Sequence, residues 1–233
     1  MGKYFGTDGI RGVANQEPLT PELAFTLGRA AAYLFTQGQA KASVVLGRDT
    51  RLSGGMLAAA LSAGLCSAGV DVLDVGVMPT PAVAYLTRAL CGVAGVVISA
   101  SHNPFADNGI KFFGPDGFKL SDRVEEELER FLEGEPVPKR PLGEGIGQIC
   151  TVGEGEDRYL DFVCRSLSPS LTLQGMRIVV DCANGAAFRL IPRLLQRLGA
   201  EVFPYHISPD GMNINARCGA LFPEILREKV LQH

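Results

Sequence analysis

No stretch of the 233 residues approaches the ~20 consecutive apolar side chains that a membrane-spanning helix needs. The start, Met1-Gly2-Lys3-Tyr4-Phe5-Gly6, lacks the basic-then-apolar pattern of a secretory leader. The expectation is a cytoplasmic protein without a membrane partner. Neither sign of charge dominates: 22 Lys and Arg stand against 25 Asp and Glu, a formal charge of −3, which argues against nucleic acid as a partner. Cys66, Cys91, Cys150, Cys164, Cys182 and Cys218 are scattered, with no Cys-x-x-Cys pair for zinc or redox work, and several lie in apolar runs, so buried inert thiols are expected. His102, His206 and His233 are too far apart in sequence to make a local metal motif. No Gly-x-x-x-x-Gly-Lys-Ser/Thr occurs, so a P-loop nucleotide site has no support.

What the chain does have is 46% apolar residues, enough for a substantial core, with 28 glycines and 14 prolines, which suit many strand–loop–helix corners better than a helix bundle. Thr20-Pro21-Glu22 predicts a capped helix start, with Leu23, Leu27, Ala30, Ala31 and Leu34 at helical spacing. Short apolar runs at 43–46, 70–75 and 95–98 predict buried strands, separated by helices after Ser53 and after Pro79-Thr80-Pro81. Ser121 is expected to cap a charged helix over 122–132. Residues 134–155 are rich in Gly, Pro and charge, which places a domain boundary near 150. Beyond it, 177–181 and 201–205 predict strands, 185–198 a helix, and 222–232 another. The alternation means α/β architecture, a first domain over 1–150 and a second over 151–233 with too few strands for a sheet of usual size.

Three loops carry candidate chemistry. Ser99-Ala100-Ser101-His102-Asn103-Pro104 leaves a buried strand, so the Ser101 hydroxyl can face a cleft with His102, Asn103 and Lys111 beside it. The loop reads either as a Ser/Asn-rich turn in which Pro104 stops the strand or as the seat of a phosphoryl-bearing serine, which needs such donors and cations around its charge of roughly −2. A Ser–His hydrolase is disfavoured, because neighbouring side chains point apart in extended chain and no Gly-x-Ser-x-Gly elbow surrounds Ser101. In Phe5-Gly6-Thr7-Asp8-Gly9-Ile10-Arg11-Gly12 the glycines allow a sharp turn and Arg11 offers a bidentate fork for phosphate. Gly47-Arg48-Asp49-Thr50-Arg51-Leu52-Ser53-Gly54 reads either as an anion cradle at a helix start or as a capping loop with a local Arg–Asp pair.

Taken in order, Tyr4 to Gly12, Ser99 to Pro104 with Asn108 to Lys111, and Pro209-Asp210-Gly211-Met212-Asn213-Ile214-Asn215 resemble the signatures of the α-D-phosphohexomutase superfamily, in particular its bacterial amino-sugar branch, the phosphoglucosamine mutases. The resemblance implies mixed-sheet phosphohexomutase-type domains, the first complete and the second truncated. It implies interconversion of glucosamine 6-phosphate and glucosamine 1-phosphate, with glucosamine 1,6-bisphosphate as intermediate and activator. Ser101 would carry the phosphoryl group, Arg11 and Lys111 would offset its charge, with Lys111 also moving a proton, and His102 would shape the loop. Asn103, Thr7 and Arg48 would contact substrate or phosphate. Mg²⁺ is implied as cofactor, yet the family's Asp-Gly-Asp-x-Asp-Arg metal loop is absent from these residues. Only the Ser101 phosphoryl oxygen would come from this chain as a ligand, and the expectation is an N-terminal portion that is inactive alone. A phosphosugar substrate is expected, and a homodimer fits the resemblance. The alternatives are a phosphomannomutase or phosphoglucomutase of the same superfamily, or a non-catalytic phosphosugar-binding half-protein.

Overall fold

The computed structural model describes residues 3–36, 42–137 and 139–233; residues 1–2, 37–41 and Pro138, the last within the 134–155 connection, lie outside them. In chain order the described elements are β1 (Ile10–Val13), α1 (Pro21–Thr36), β2 (Ser43–Arg48), α2 (Gly54–Ser67), β3 (Asp71–Val77), α3 (Thr80–Ala89), β4 (Ala94–Ile98), β5 (Asp107–Phe113), α4 (Asp122–Leu132), β6 (Ile149–Thr151), α5 (Gly155–Ser166), β7 (Arg177–Asp181), α6 (Leu190–Arg197), β8 (Glu201–Tyr205) and α7 (Pro223–Gln232). Six strands form one sheet in the order β1-β5-β4-β2-β3-β6, and β7 and β8 form a separate parallel pair. The large sheet is mixed: β4, β2, β3 and β6 run parallel, whereas β5 lies antiparallel to both β4 and β1.

The apolar runs are continuous because the sheet is covered on both faces. Val44, Leu46, Val96, Ile98, Ile110 and Phe112 pack on one side against Leu27, Leu57, Leu61, Leu65 and Leu128 of α1, α2 and α4. Val45, Val97 and Phe113, one residue out of phase, pack on the other side against Ala82, Val83 and Leu86 of α3, with Leu160 and Leu190 from α5 and α6. The α5–α6 region is thereby joined to the first sheet through apolar contact, reinforced by the stacked rings of Tyr85 and Phe162 with centroids 4.1 Å apart.

Local signals are met unevenly. Thr20 caps α1 as its sequence predicts, its Oγ1 accepting from the Leu23 N–H at 3.2 Å. Ser53 and Ser121 stand at the N-cap positions of α2 and α4, but neither hydroxyl caps. Ser53 has helical dihedrals that turn its side chain away from the free N–H groups, and its Oγ accepts from Asn108 Nδ2 at 2.9 Å instead. Three strands are absent from the sequence reading: β6, within the stretch read as a domain connection, and β1 and β5, which are built from glycine- and polar-rich segments; helix α5 is also absent from it. The thiols also divide: Cys182 and Cys218 are buried, Cys66, Cys150 and Cys164 are partly covered, and Cys91 is exposed in the turn after α3.

Helices α1 and α2 cross at Gly28 and Gly64. A Cβ on Gly64 would lie 2.2 Å from the Phe25 carbonyl oxygen, and one on Gly28 would lie 2.3 Å from that of Leu61. In an open helix, Gly→Ala is worth about 1 kcal/mol of added stability. Here the obstacle is backbone, which cannot rotate aside, so Gly64→Ala is expected to reverse that sign and lose about 1–3 kcal/mol, read as a lower urea midpoint. A gain in midpoint would show that the helices separate freely.

Candidate active site

The polar loop after β2 and the loop after β4 meet around one side chain. Arg51 is fully covered, its side chain 0% exposed, with Asp49 4% exposed beside it. All five guanidinium N–H bonds are used. Nε donates to Asp49 Oδ2 at 2.9 Å. Nη1 donates to the carbonyls of Pro104 and, at 2.9 Å, of Asp107. Nη2 donates to the carbonyls of Ser101 at 3.0 Å and Asn103 at 2.9 Å. Four carbonyls of the serine loop thus converge on one planar cation, a task that the rigid guanidinium fork suits and an ammonium group does not.

Asp49 extends the same network. Its Oδ1 accepts from the Arg51 N–H at 3.0 Å, and its Oδ2 accepts from Ser99 Oγ at 2.6 Å. Ser99 Oγ in turn accepts from the Ser101 N–H at 3.1 Å. Both backbone polar groups of Ser101 are therefore held, and the residue sits at φ +57°, a left-handed conformation that a serine adopts only under such constraint. Its side chain is left exposed at a cavity of ≈ 420 Å³ that Asp49, Val97, Ser99, His102, Asp181, Cys182 and Asn215 help to line.

Strand register places the cations on the same side. Lys111 pairs with Val97, and Arg11 pairs with Gly109, two residues before Lys111. Directly opposed residues share a face, so Arg11 and Lys111 issue from the face of the sheet that lines the cavity. Both are bound to Asp8, Lys111 Nζ at 2.5 Å and Arg11 through Nη2. Partial burial alone would raise the Asp8 carboxyl, but the hydrogen bond and charge of Lys111, with Arg11 and Lys119, outweigh it and hold the group below the ordinary aspartate value. Gly9, at φ +84°, permits this approach: a Cβ there would stand 2.4 Å from the Ile110 carbonyl oxygen. Behind the turn, Glu129 gathers the N–H groups of Tyr4 at 2.7 Å and Phe5 at 2.6 Å and fixes the entering chain. The Arg11 Nε is buried without a hydrogen-bond partner among the described residues.

The other expected site residues fall differently. His102 is exposed at the cavity and makes no hydrogen bond among the described residues, whereas Asn103 ties the loop to itself, Nδ2 donating to Asp107 Oδ2 at 2.9 Å. The Lys111 side chain is only 15% exposed. Arg48 does not meet the serine loop; its Nη1 pairs with Asp74 of β3 at 2.9 Å. Thr7 lines a separate pocket with Glu125, Glu126 and Glu129, where like charge opposes a phosphate. The sequence reading missed Arg51, Asp49, Ser99 and Asn215 as site residues, although it noted an Arg–Asp pair in the 47–54 loop.

Across the cavity, Asp181, His206 and Cys218 bring their ligand atoms within 4.8 Å of one another, a grouping hidden by their separation in sequence. Asp181 is already committed: Oδ1 accepts from the Ala183 N–H at 2.8 Å and contacts His206 Nδ1 at 2.9 Å, while Oδ2 accepts from the Gly219 N–H at 2.8 Å. Burial, then the Asp181 charge, pushes the Cys182 thiol up to about 11 and also raises that of Cys218. The Mg²⁺ implied by resemblance is likewise not accommodated by these residues. Asp49 and Asp181, the two carboxylates lining the cavity among the described residues, are both taken by donors, so this chain offers a divalent cation no free carboxylate set beside Ser101.

A three-layer domain thus locks the Ser101 backbone at a cavity whose sheet face also carries Arg11 and Lys111. Residues 2–137 match the α/β/α domain I of the phosphoglucomutase/phosphomannomutase family, and the chain belongs to that family. Within it, the chain is 56% identical over 234 residues to a phosphoglucosamine mutase of Desulforamulus reducens and 58% identical over 233 residues to one of Pelotomaculum thermopropionicum. These alignments take in 100% and 99% of the chain but 52% of each relative, so the chain spans about half the length of the curated relatives it matches. Among solved structures, a phosphoglucomutase/phosphomannomutase family protein of Burkholderia thailandensis superposes with a TM-score of 0.79 at 29% identity, over 98% of this chain and 49% of that one.

Removing one partner of the buried pair tests the network directly. Asp49→Asn leaves the Arg51 charge without its counter-ion, and a loss of about 3–5 kcal/mol in urea unfolding is expected. A loss below about 1 kcal/mol would mean that the carbonyls alone stabilise the cation.

Proposed function

We propose that this chain supplies the phosphoryl-carrying serine of a phosphoglucosamine mutase, which interconverts glucosamine 6-phosphate and glucosamine 1-phosphate. The observation that carries the reading is Ser101 itself: its N–H and carbonyl are both fixed while its side chain stands free at the cavity, on the face from which Arg11 and Lys111 issue. A group that must repeatedly gain and lose a charge of about −2 needs a rigid backbone and nearby cations, and this loop has both. The amino-sugar assignment over phosphomannomutase or phosphoglucomutase follows the 56% and 58% identities to relatives of that name, against 29% to the structural neighbour of the broader family.

In the forward half-reaction a hydroxyl oxygen of the sugar phosphate bonds to the phosphorus on Ser101 and loses its proton to a base, and the Oγ–P bond breaks. The product is a 1,6-bisphosphate. In the second half Ser101 Oγ attacks the other phosphate and takes back a phosphoryl group, so the serine ends as it began. In this reading Lys111 and Arg11 offset the charge on the transferring group, and Lys111 is the residue assigned to move the hydroxyl proton. His102 and Asn103 frame the loop. In this reading Mg²⁺ requires ligands outside the described chain, the division between domains falls near residue 150, and the protein acts in the cytoplasm on a phosphosugar; a homodimer is compatible with it.

Two variants of the full-length protein test the assignment. Ser101→Ala is expected to abolish turnover of glucosamine 6-phosphate and to remove the mass increment of one phosphoryl group, with an unchanged urea midpoint; near-normal turnover would overturn the role of Ser101. Lys111→Ala is expected to lower turnover by about a hundredfold or more while the protein stays folded, and a variant that fails to fold would assign Lys111 a structural role through Asp8.

A further inference from the structure

The carbonyls of Ser101 and Asn103 each receive a second donor, from a residue more than a hundred positions downstream. Asn215 Nδ2 donates to the Ser101 oxygen at 2.9 Å and to the Asn103 oxygen at 3.0 Å. Arg51 Nη2 donates to the same two oxygens. Two NH₂ groups with two N–H bonds each thus face two carbonyls with two lone pairs each, and the set closes with nothing left over. The amide orientation of Asn215 is fixed by this chemistry, since the flipped form would set its oxygen against both carbonyls.

The two donors differ in origin. Arg51 belongs to the loop between β2 and α2, in the same layer system as the serine. Asn215 belongs to the region after β8, and its own backbone is anchored there, at φ +59° with its N–H donating to the Ala183 oxygen at 2.9 Å. Ala183 and Asn184 are also left-handed, at φ +53° and +50°. Asn184 braces the neighbouring turn, accepting from the Ser208 N–H at 3.1 Å through Oδ1. This unit touches the Arg51 loop twice more: Thr50 Oγ1 donates to the Asn184 oxygen at 2.5 Å, and the Leu52 N–H donates to the Gly211 oxygen at 2.9 Å. The 183–184 and 211–215 turns therefore grip both the clamp and the loop that it clamps.

We infer that Asn215 is a positioning residue that makes the geometry of the serine loop depend on the seating of the region after β6. With Asn215 in place Ser101 is held from both sides; with it withdrawn, one lone pair on each carbonyl is open to water and only the Arg51 side of the lock remains. The inference rests on Ser101 as the phosphoryl carrier for its catalytic consequence, but not for its structural one.

The test uses the full-length protein with Asn215→Asp, which keeps shape and removes both N–H bonds, and Asn215→Ala, which removes them without placing a charge near two carbonyls. Amide hydrogen exchange at Ser101, Asn103 and Asp107 is expected to quicken about tenfold or more in both variants, a loss of local rather than global protection, while Val96 to Ile98 in β4 keep theirs. Turnover of glucosamine 6-phosphate is expected to fall about tenfold to a hundredfold in kcat with KM within about twofold, as misplacement of a reacting group predicts. Unchanged exchange at 101–107, or protection lost equally across β4, would overturn the inference; so would quickened exchange with normal kcat. A wild-type protein without mutase turnover would instead refute the function proposed for Ser101, and the exchange measurement alone would then decide whether Asn215 latches the loop.

Discussion

Everything at this site depends on a guanidinium group that has been taken out of water. A buried cation is tolerated only when it is paired and when each of its N–H bonds finds an acceptor. Arg51 has one carboxylate and four carbonyls, all four carbonyls coming from the loop between Ser101 and Asp107. The requirement runs in both directions. The loop makes the burial of Arg51 acceptable, and Arg51 makes the left-handed backbone at Ser101 the conformation that leaves no donor orphaned. A conformation that would be strained in isolation is thus the one that the hydrogen-bond accounting selects.

The sheet supplies the setting for that lock. Had β5 followed β4 in parallel, the chain would need a crossover of a dozen residues or more. Because β5 returns antiparallel, the connection is short, and the serine loop is a tight turn outside the end of β4, with Lys111 carried back alongside Val97. The same reversal lets β1 add to β5 and set Arg11 against Gly109. Arg11 comes from a segment far upstream of Ser101 and Lys111, yet one side of the sheet collects all three.

Much of the architecture was legible because buried parallel strands need continuous apolar runs. The segments 177–181 and 201–205 match β7 and β8, and the runs at 43–46 and 95–98 lie inside β2 and β4. What escaped has a physical reason. β1 and β5 carry Gly, Asp, Asn, Arg and Lys, residues that no strand propensity favours, and they are strands because their partners and the site demand it. Ser53 stands where a cap belongs, but Asn108 competes for its hydroxyl from 55 residues away. The choice between Arg48 and Arg51 is the sharpest case. Both lie in the polar run 47–54, and the resemblance implies Arg48 for phosphate. β2 extends to Arg48 and delivers that side chain to Asp74, whereas Arg51, past the strand end, turns inward beneath the serine loop.

The electrostatics of the cavity then follow from which charges are already spoken for. Arg51 and Asp49 cancel, so the clamp fixes geometry without adding field. Asp181 is met by two N–H groups and His206, and the raised thiols of Cys182 and Cys218 stay protonated near neutral pH, so the far wall adds no thiolate charge. On the sheet face, by contrast, Lys111 and Arg11 share the single carboxylate of Asp8 and leave a net positive charge. A chain that is acidic overall thus carries a local positive charge on the sheet face below its serine loop, and among the described residues the buried Nε of Arg11 has no partner. The rigid lock and the local charge come from different residues, so substitutions can separate where the serine sits from what its surroundings stabilise.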